Sequence, residues 1–400
     1  MRNKTEQKLY EQVLQAQPYV TALRRHFHKY PELSAKEYHT AEKIEEELDQ
    51  LGISHRRVGD TGVYASLTGE NPEGRTIMLR ADTDALPVTE EHICEYTSQN
   101  PGVMHACGHD AHTASLLGAA KVLSANRSLF SGTVRFAFQQ GEEIGYGARL
   151  FVDGGFIKGA DRTFGVHVAS DIEAGKTAIV PGPNNASVDW FRIRVQGRSA
   201  HVSTPQQGVD ALYIASQIVV AAQALITRRT SPMDHVLIGI GKMTAGTGYN
   251  ILAQEAELEG TIRVLTEPLR RETKERLEQL AASVALAFGG SVTFSWKDYT
   301  SPLVNDAASA GEVQRTAAAL FGSDQVITRR EPTLGGDDFA EFILQAPGAY
   351  AYVGSRNPRR PETCVAHHNA CFDIDEEALR VATALYTIYA ADYLNEWRDI

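Results

Sequence analysis

The run Met104-His-Ala-Cys-Gly-His-Asp-Ala-His112 packs three histidines, one cysteine and one aspartate into nine positions. Thiolate and imidazole together suit zinc or another first-row transition metal. Cys107 and His109 are two residues apart, so extended backbone would turn both side chains to one side. Gly108 between them permits close approach to a bound ion. Three further fragments place ligand-type residues where a strand is expected to end. Arg80-Ala-Asp82-Thr-Asp84 closes an apolar run that begins at Arg75, and Val134–Gln140 runs into Gly141-Glu142-Glu143. Thr163-Phe-Gly-Val-His167 ends on a histidine, and His367-His-Asn-Ala-Cys-Phe-Asp373 precedes the last helical pattern. Each fragment alone has a bland reading, as a turn, a helix cap or a packed histidine. Together they fall at the carboxyl ends of strands, where open α/β sheets gather their ligands.

Adjacent residues on extended backbone face opposite ways, so one of Glu142 and Glu143 can bind metal while the other reaches a water beside it. A metal-bound water with its pKa lowered to ~7 still needs a group to take its proton and pass it to a leaving amine. That division of labour suits a hydrolase of resonance-stabilised amide bonds. Cys107 could instead be a nucleophile with His109 as its base. That reading leaves Glu142, Glu143, His167 and His368 without a part.

These residues need a scaffold, and the chain is long enough for two. Single cores stop growing at roughly 300 residues. A chain of 400 residues therefore implies two domains or one domain with a large insert. Hydrophobic residues at 43% and charged residues at 22% are ordinary globular usage, which excludes disordered and collagen-like classes. A net charge of 39 − 50 = −11 gives no basic field for nucleic acid or anionic lipid. The polar N-terminus lacks the apolar stretch of a signal peptide. The apolar run Val209–Ile226 carries Asp210, Ser216, Gln217 and Gln223, which fits a buried helix better than a bilayer span. Four cysteines in so large a chain do not form a disulfide framework, so a cytoplasmic protein is expected.

Two helices are expected in the first fifty residues, Glu6–His28 and one capped by Ser34 and ending near Leu51. Gly62–Leu67 and Arg75–Arg80 read as strands around a turn at Asn71-Pro72-Glu73-Gly74. Helix from His112 to Leu123 and strands at Gly132–Gln140 and Thr163–Val168 complete an α/β sheet covered on both faces. Beyond Pro181-Gly-Pro183 the pattern becomes strand 188–196, helix 209–226, strand 235–243, strand 255–264, helix 268–288 and strand 291–296. That order is the split β-α-β-β-α-β of ferredoxin-like domains. The expectation is a catalytic α/β domain (1–183 and 297–400) with a mixed sheet, interrupted by a ferredoxin-like α+β lid and dimerisation domain at 184–296.

The runs Leu79-Arg-Ala-Asp-Thr-Asp-Ala-Leu-Pro87, Met104–His112, Gln140-Gly-Glu-Glu143 and Gly165-Val-His167 resemble the M20 metallopeptidase family. More narrowly they are similar to its amidohydrolase branch of N-acyl-amino-acid, hippurate and auxin-conjugate hydrolases. Gly197-Arg-Ser-Ala-His201 through Pro205 and His367–Asp373 match as well, so the likeness spans nearly the whole chain. The resemblance implies two divalent metal ions with Cys107 bridging them, His109 and His167 completing one and Glu143 and His368 the other. Zinc or manganese is expected, with cobalt and nickel compatible with the same mixed donors. Glu142 would be general base and acid, with Asp82 just behind the metals. His201 would reach the substrate carbonyl from the inserted domain, and Asn250 and Arg263 would grip a substrate carboxylate. The substrate would be a small N-acyl or N-aryl amino acid. The inserted domain would form a homodimer or higher homo-oligomer.

Three features depart from the family pattern. Gly336-Asp-Asp-Phe339 stands for Glu-Asp-Phe, Gly248-Tyr-Asn250 lacks a proline before the asparagine, and Leu252-Ala253 replaces Ile-Pro. His105 and His112 sit in the motif without a ligand role, and support behind the ligands is expected of them. A cysteine hydrolase using Cys107, and an inactive homologue serving as a binding subunit, are the alternatives.

Overall fold

The computed structural model describes residues 4–395. α1 (Lys4–Lys29) and α2 (Tyr38–Gln50) lead into β1 (Ser54–Val58), β2 (Gly62–Thr68) and β3 (Asn71–Asp82). Next come α3 (His109–Ser124), β4 (Ser131–Gln139), α4 (Gly147–Asp153), β5 (Arg162–Glu173) and β6 (Thr177–Ala178). After β7 (Gly182–Asn185) follow β8 (Val188–Gln196), α5 (Ala211–Arg229), β9 (Val236–Ala245) and β10 (Glu255–Val264). α6 (Glu267–Ala287), β11 (Ser291–Thr300) and β12 (Leu303–Asn305) precede α7 (Ala307–Phe321) and β13 (Val326–Ile327). α8 (Ala340–Ile343), β14 (Gly348–Arg356) and α9 (Glu377–Asn395) close the chain. It divides into two compact units. One comprises Met1–Gly182, Val304–Glu331 and Asp338–Ile400, the other Pro183–Leu303 and Pro332–Asp337.

The first unit is built on an eight-stranded mixed sheet in the order β1-β2-β4-β3-β5-β14-β6-β13. Its middle strands β4, β3, β5 and β14 run parallel. Parallel strands are covered on both faces, and β14 is accordingly buried from Gly348 to Ser355. α1 packs its buried Leu9, Val13, Val20, Leu23 and Phe27 against α3 and α9. α3 and α9 are buried on nearly every side, as helices enclosed by a core are, and α3 takes His109, Asp110 and His112 inside with it.

The second unit is a four-stranded antiparallel sheet, β11-β8-β10-β9, covered by α5 and α6. The expected split β-α-β-β-α-β order is therefore present, beside the expected mixed α/β sheet. Asp210 caps α5 by accepting the Leu212 and Tyr213 amides. Among the described residues α5 is the one helix long and apolar enough to cross a membrane. It lays Ile214, Ile218, Ala222 and Leu225 into this unit's core instead.

Several local expectations are corrected. Ser34 does not cap α2; its hydroxyl donates to Asp84 at 2.7 Å, and the helix begins only at Tyr38. The turn expected at Asn71–Gly74 is absorbed into β3, whose pairing with β4 slips between Asn71 and Thr76. His109 is the first residue of α3, not a strand residue. β5 continues past His167 to Glu173, because β14 pairs with it beyond that point.

Candidate metal centre and active site

The Cys107–His109 pair is aimed by a left-handed glycine, not by extended backbone. Gly108 has φ 90°, and a Cβ there would meet Val168 Cγ2 at 2.3 Å. Both the conformation and the space demand glycine. His109 then points Nδ1 at the Asp84 carbonyl, 2.9 Å away, and at Asp84 Oδ1, 3.2 Å away. A carbonyl only accepts, so Nδ1 carries a proton, and in the neutral ring Nε2 keeps its lone pair. His109 Nε2 is buried without a hydrogen-bond partner among the described residues.

Three other segments converge on Cys107 and His109. His167 on β5 donates from Nδ1 to the Val168 carbonyl at 2.7 Å, which turns Nε2 to within 3.5 Å of Cys107 Sγ. Glu142 and Glu143 lie in a turn, not on extended backbone: the Gly145 amide donates to the Glu142 carbonyl at 2.8 Å. The Glu143 amide donates to Asp84 Oδ2 at 3.0 Å, so Asp84 holds both His109 and Glu143. Glu143 Oε1 is buried without a hydrogen-bond partner among the described residues, 3.9 Å from His109 Nε2 and 3.3 Å from His368 Nε2. His368 sits at φ 64° with its amide on the Ala106 carbonyl. That region is strained for a non-glycine residue.

Cys107, His109 and His167 bring their ligand atoms within 4.8 Å of one another, and so do Cys107, Glu143 and His368. The two groups share the thiol. Glu142 lies within the same limit of His109 and Glu143. Buried polar atoms without partners are costly, and His109 Nε2 and Glu143 Oε1 are such atoms facing a shared sulfur. That arrangement fits cations bound by mixed sulfur, nitrogen and oxygen donors.

The electrostatics agree. Burial and then the Glu143 and Glu142 charges push the Cys107 thiol well up. A thiol nucleophile needs the opposite shift, whereas a cation would stabilise the thiolate. Asp82 is fully buried; burial opposes its charge, but His109, Arg80 and His112 hold it well below the usual carboxylate range. Its Oδ2 lies 2.6 Å from Arg80 Nη1 and 3.7 Å from His109 Nε2. Arg80 also binds Gln139 and Asp338, so the second aspartate of Gly336-Asp-Asp-Phe339 supports this cluster. The Asp337 carbonyl takes the Thr300 hydroxyl.

The two histidines expected to stand behind the ligands separate. His112 is hydrogen-bonded on both nitrogens, to Asp82 and to Val168. His105 is buried with neither nitrogen hydrogen-bonded among the described residues, and burial pushes its pKa down to about 3. His367 Nδ1 lies 3.2 Å from the Cys107 carbonyl. A carbonyl only accepts, so this nitrogen is the donor. Asp84 as the hub of the site was not singled out by spacing, although Asp82-Thr-Asp84 put two carboxylates at one strand end.

The remaining candidates belong to the second unit. His201 is exposed, bridged to Ile251, and accepts on Nδ1 from the Ser203 amide at 3.1 Å. An amide only donates, so the ring proton of neutral His201 is on Nε2. The carbonyl of exposed Asn250 takes the Val202 amide. Arg263 on β10 is half-buried and bonds Thr261 and the Leu334 carbonyl. Burial lowers its pKa, and it pairs with no carboxylate among the described residues.

Residues 78–392 match the model of peptidase family M20/M25/M40. The chain is 35% identical over 396 residues to thermostable carboxypeptidase 1 of Saccharolobus solfataricus, covering 98% of this chain and 99% of that protein. It is 37% identical over 368 residues to N-acetyl-L-cysteine deacetylase of Bacillus subtilis, covering 92% of this chain and 86% of that protein. A Bacillus subtilis crystal structure described as a dinuclear metal binding peptidase from the M20 family matches with a TM-score of 0.83 at 32% identity. That match covers 95% of this chain and 98% of the other.

Proposed function

Because the chain belongs to peptidase family M20/M25/M40 and is a metal-dependent amidohydrolase, we propose that Cys107, His109, Glu143, His167 and His368 hold two divalent cations. Zinc or manganese is the expected pair, with cobalt and nickel compatible with the donors. The observation that carries this reading is the convergence of His109 Nε2 and Glu143 Oε1, both buried and without a hydrogen-bond partner among the described residues, on Cys107. Bound there, such cations supply Lewis-acid chemistry, lowering the pKa of water and polarising an amide carbonyl.

The chain's own residues do the rest. Glu142 takes a proton from the attacking water and delivers it to the departing amine nitrogen. Asp82, held charged by Arg80 and His112, balances the positive charge around His109. His201 donates its Nε2 proton as a hydrogen bond to the carbonyl oxygen, where negative charge develops. Arg263, with Asn250, receives the substrate's carboxylate, which makes an N-acyl or N-aryl amino acid the substrate class.

The second unit also argues for a homodimer. His201 lies beyond the Glu255 end of β10, and Arg263 lies near its other end. The strand between Glu255 and Arg263 spans about 27 Å at the usual rise per residue. A small substrate cannot touch both within one subunit, so a second copy would bring its own His201 and the Asn250 beside it. β9 is an edge strand with exposed Leu237 and Met243, an unpaired edge of the kind that joins copies. The four cysteines are free, as a cytoplasmic setting would keep them.

The test is metal removal followed by reconstitution with each ion in turn, assayed on a panel of acyl-amino acids. Activity lost to a chelator and restored by the ion is expected. A cysteine hydrolase would keep its activity in chelator. Glu142→Gln should lower kcat by ~10²–10⁴-fold with metal content unchanged.

A further inference from the structure

β3 accompanies β5 only as far as the Arg80–Gly165 pair. Beyond it, the amides of β5 on that side have no ladder partner, yet they are buried and must be satisfied. Alternate residues of a strand present their amides to the same side. The Val166 amide is accordingly taken by the Tyr386 hydroxyl at 3.3 Å, and the Val168 amide by His112 Nε2 at 2.9 Å. Tyr386 in turn donates to the Arg80 carbonyl, so these two side chains continue the sheet where its strand has stopped.

His112 is therefore fixed in one tautomer. The Val168 amide can only donate, so Nε2 accepts and the ring proton lies on Nδ1. That nitrogen is 2.6 Å from Asp82 Oδ1. The His112 ring meets the His167 ring edge to face, with centroids 4.6 Å apart. Val168 spends both of its backbone groups here: its amide on His112, its carbonyl on His167 Nδ1. We infer that His112 is the positioning residue for His167, holding Val168, whose carbonyl aims His167 Nε2 at Cys107, and so the geometry of one cation position. It acts through another side chain and is not itself a ligand. This rests on the reading of His167 as a ligand.

The full chain, stripped with a chelator and titrated with Zn²⁺ or Mn²⁺, reads the effect without any assay of turnover. His112→Phe keeps an aromatic ring but neither hydrogen bond, and should weaken one of the two bound equivalents by ~10–100-fold. His112→Gln can accept from Val168 and donate to Asp82, and should recover most of that loss. His167→Ala should lose the same equivalent. If His112→Phe folds and binds both equivalents as tightly as the parent while His167→Ala loses one, the inference is wrong and the ligand reading survives. If His167→Ala also keeps both, the ligand reading falls and takes this inference with it. Should His112→Phe not fold, His112→Asn, too short to reach both partners, takes its place: weakening supports the inference and unchanged binding overturns it.

Discussion

Glu37 accepts the Gly141 amide at 2.8 Å, so a carboxylate at the entry of α2 holds the turn that presents Glu142 and Glu143. It also takes the Ala35 amide and the Thr61 hydroxyl, and it pairs with no basic side chain among the described residues. Burial, then the charge of Asp84, raises its pKa from 4.5 to about 7. A carboxylate whose folded pKa lies above its unfolded value stabilises the fold fully below the unfolded value. That contribution is lost as pH rises through the folded one. Stability is thus expected to fall between about pH 4.5 and 7, by roughly 3 kcal/mol at most. In Glu37→Gln the Thr61 hydroxyl can accept from the new amide, and this slope should disappear. Urea midpoints of both proteins at pH 5 and pH 8 give the comparison; parallel curves would contradict the assignment.

Arg263→Ala should raise KM for acyl-amino acids ~10–100-fold with kcat little changed, the loss of a charge-assisted hydrogen bond to a carboxylate. The corresponding amino-acid amides should be indifferent to the substitution. Equal effects on acid and amide substrates would remove Arg263 from the substrate's reach.

Ser203→Ala deletes the hydroxyl that lies 2.7 Å from His201 Nδ1 and leaves the Ser203 amide in place. One neutral hydrogen bond is worth ~0.5–1.5 kcal/mol, so kcat should drop ~2–10-fold while KM holds. Nitrogen-15 spectra of the histidine ring should show the parent with its proton on Nε2. A proton found on Nδ1 would rule out the donor role.

Arg24 on α1 is fully buried between Asp110, 2.9 Å from Nε, and Asp373, 2.6 Å from Nη2. Tyr96 also donates to Asp373, and His28 lies 2.7 Å from Asp110. Removing one member of such a cluster strands the others, at about 3–5 kcal/mol. Arg24→Met should lose that much in denaturant melts. Adding Asp110→Asn and Asp373→Asn should return a large part, because the stranded charges are then gone. A triple variant no better than the single would show that packing, not charge, sets the cost.

The parts of this protein that read directly from sequence are those whose signal is local. His105 to Asp110 is a dense run of ligand-type residues, and the second unit has clean strand and helix periods from Val188 to Trp296. What did not read is set by distance along the chain or by backbone detail. Arg24 and Asp373 are 349 residues apart, and neither position looks unusual in its own segment. Cys107 and His109 were expected on a strand because their spacing of two fits one, but the positive φ of Gly108 achieves the same convergence at a helix start. Ser34 looked like a helix cap because serine often is one, and the pull of Asp84 decides otherwise. The partnership of His112 with Val168 depends on where β3 stops, which no residue pattern announces.

β14, which lies against β5 in the middle of the large sheet, comes from Gly348–Arg356, long after the second unit has been synthesised. During translation β5 therefore waits with an edge of unpaired backbone N–H and C=O groups until everything between Glu173 and Gly348 has left the ribosome. A nascent or prematurely terminated product has a sticky margin that invites self-association, and this order of synthesis predicts a need for chaperone protection during that interval.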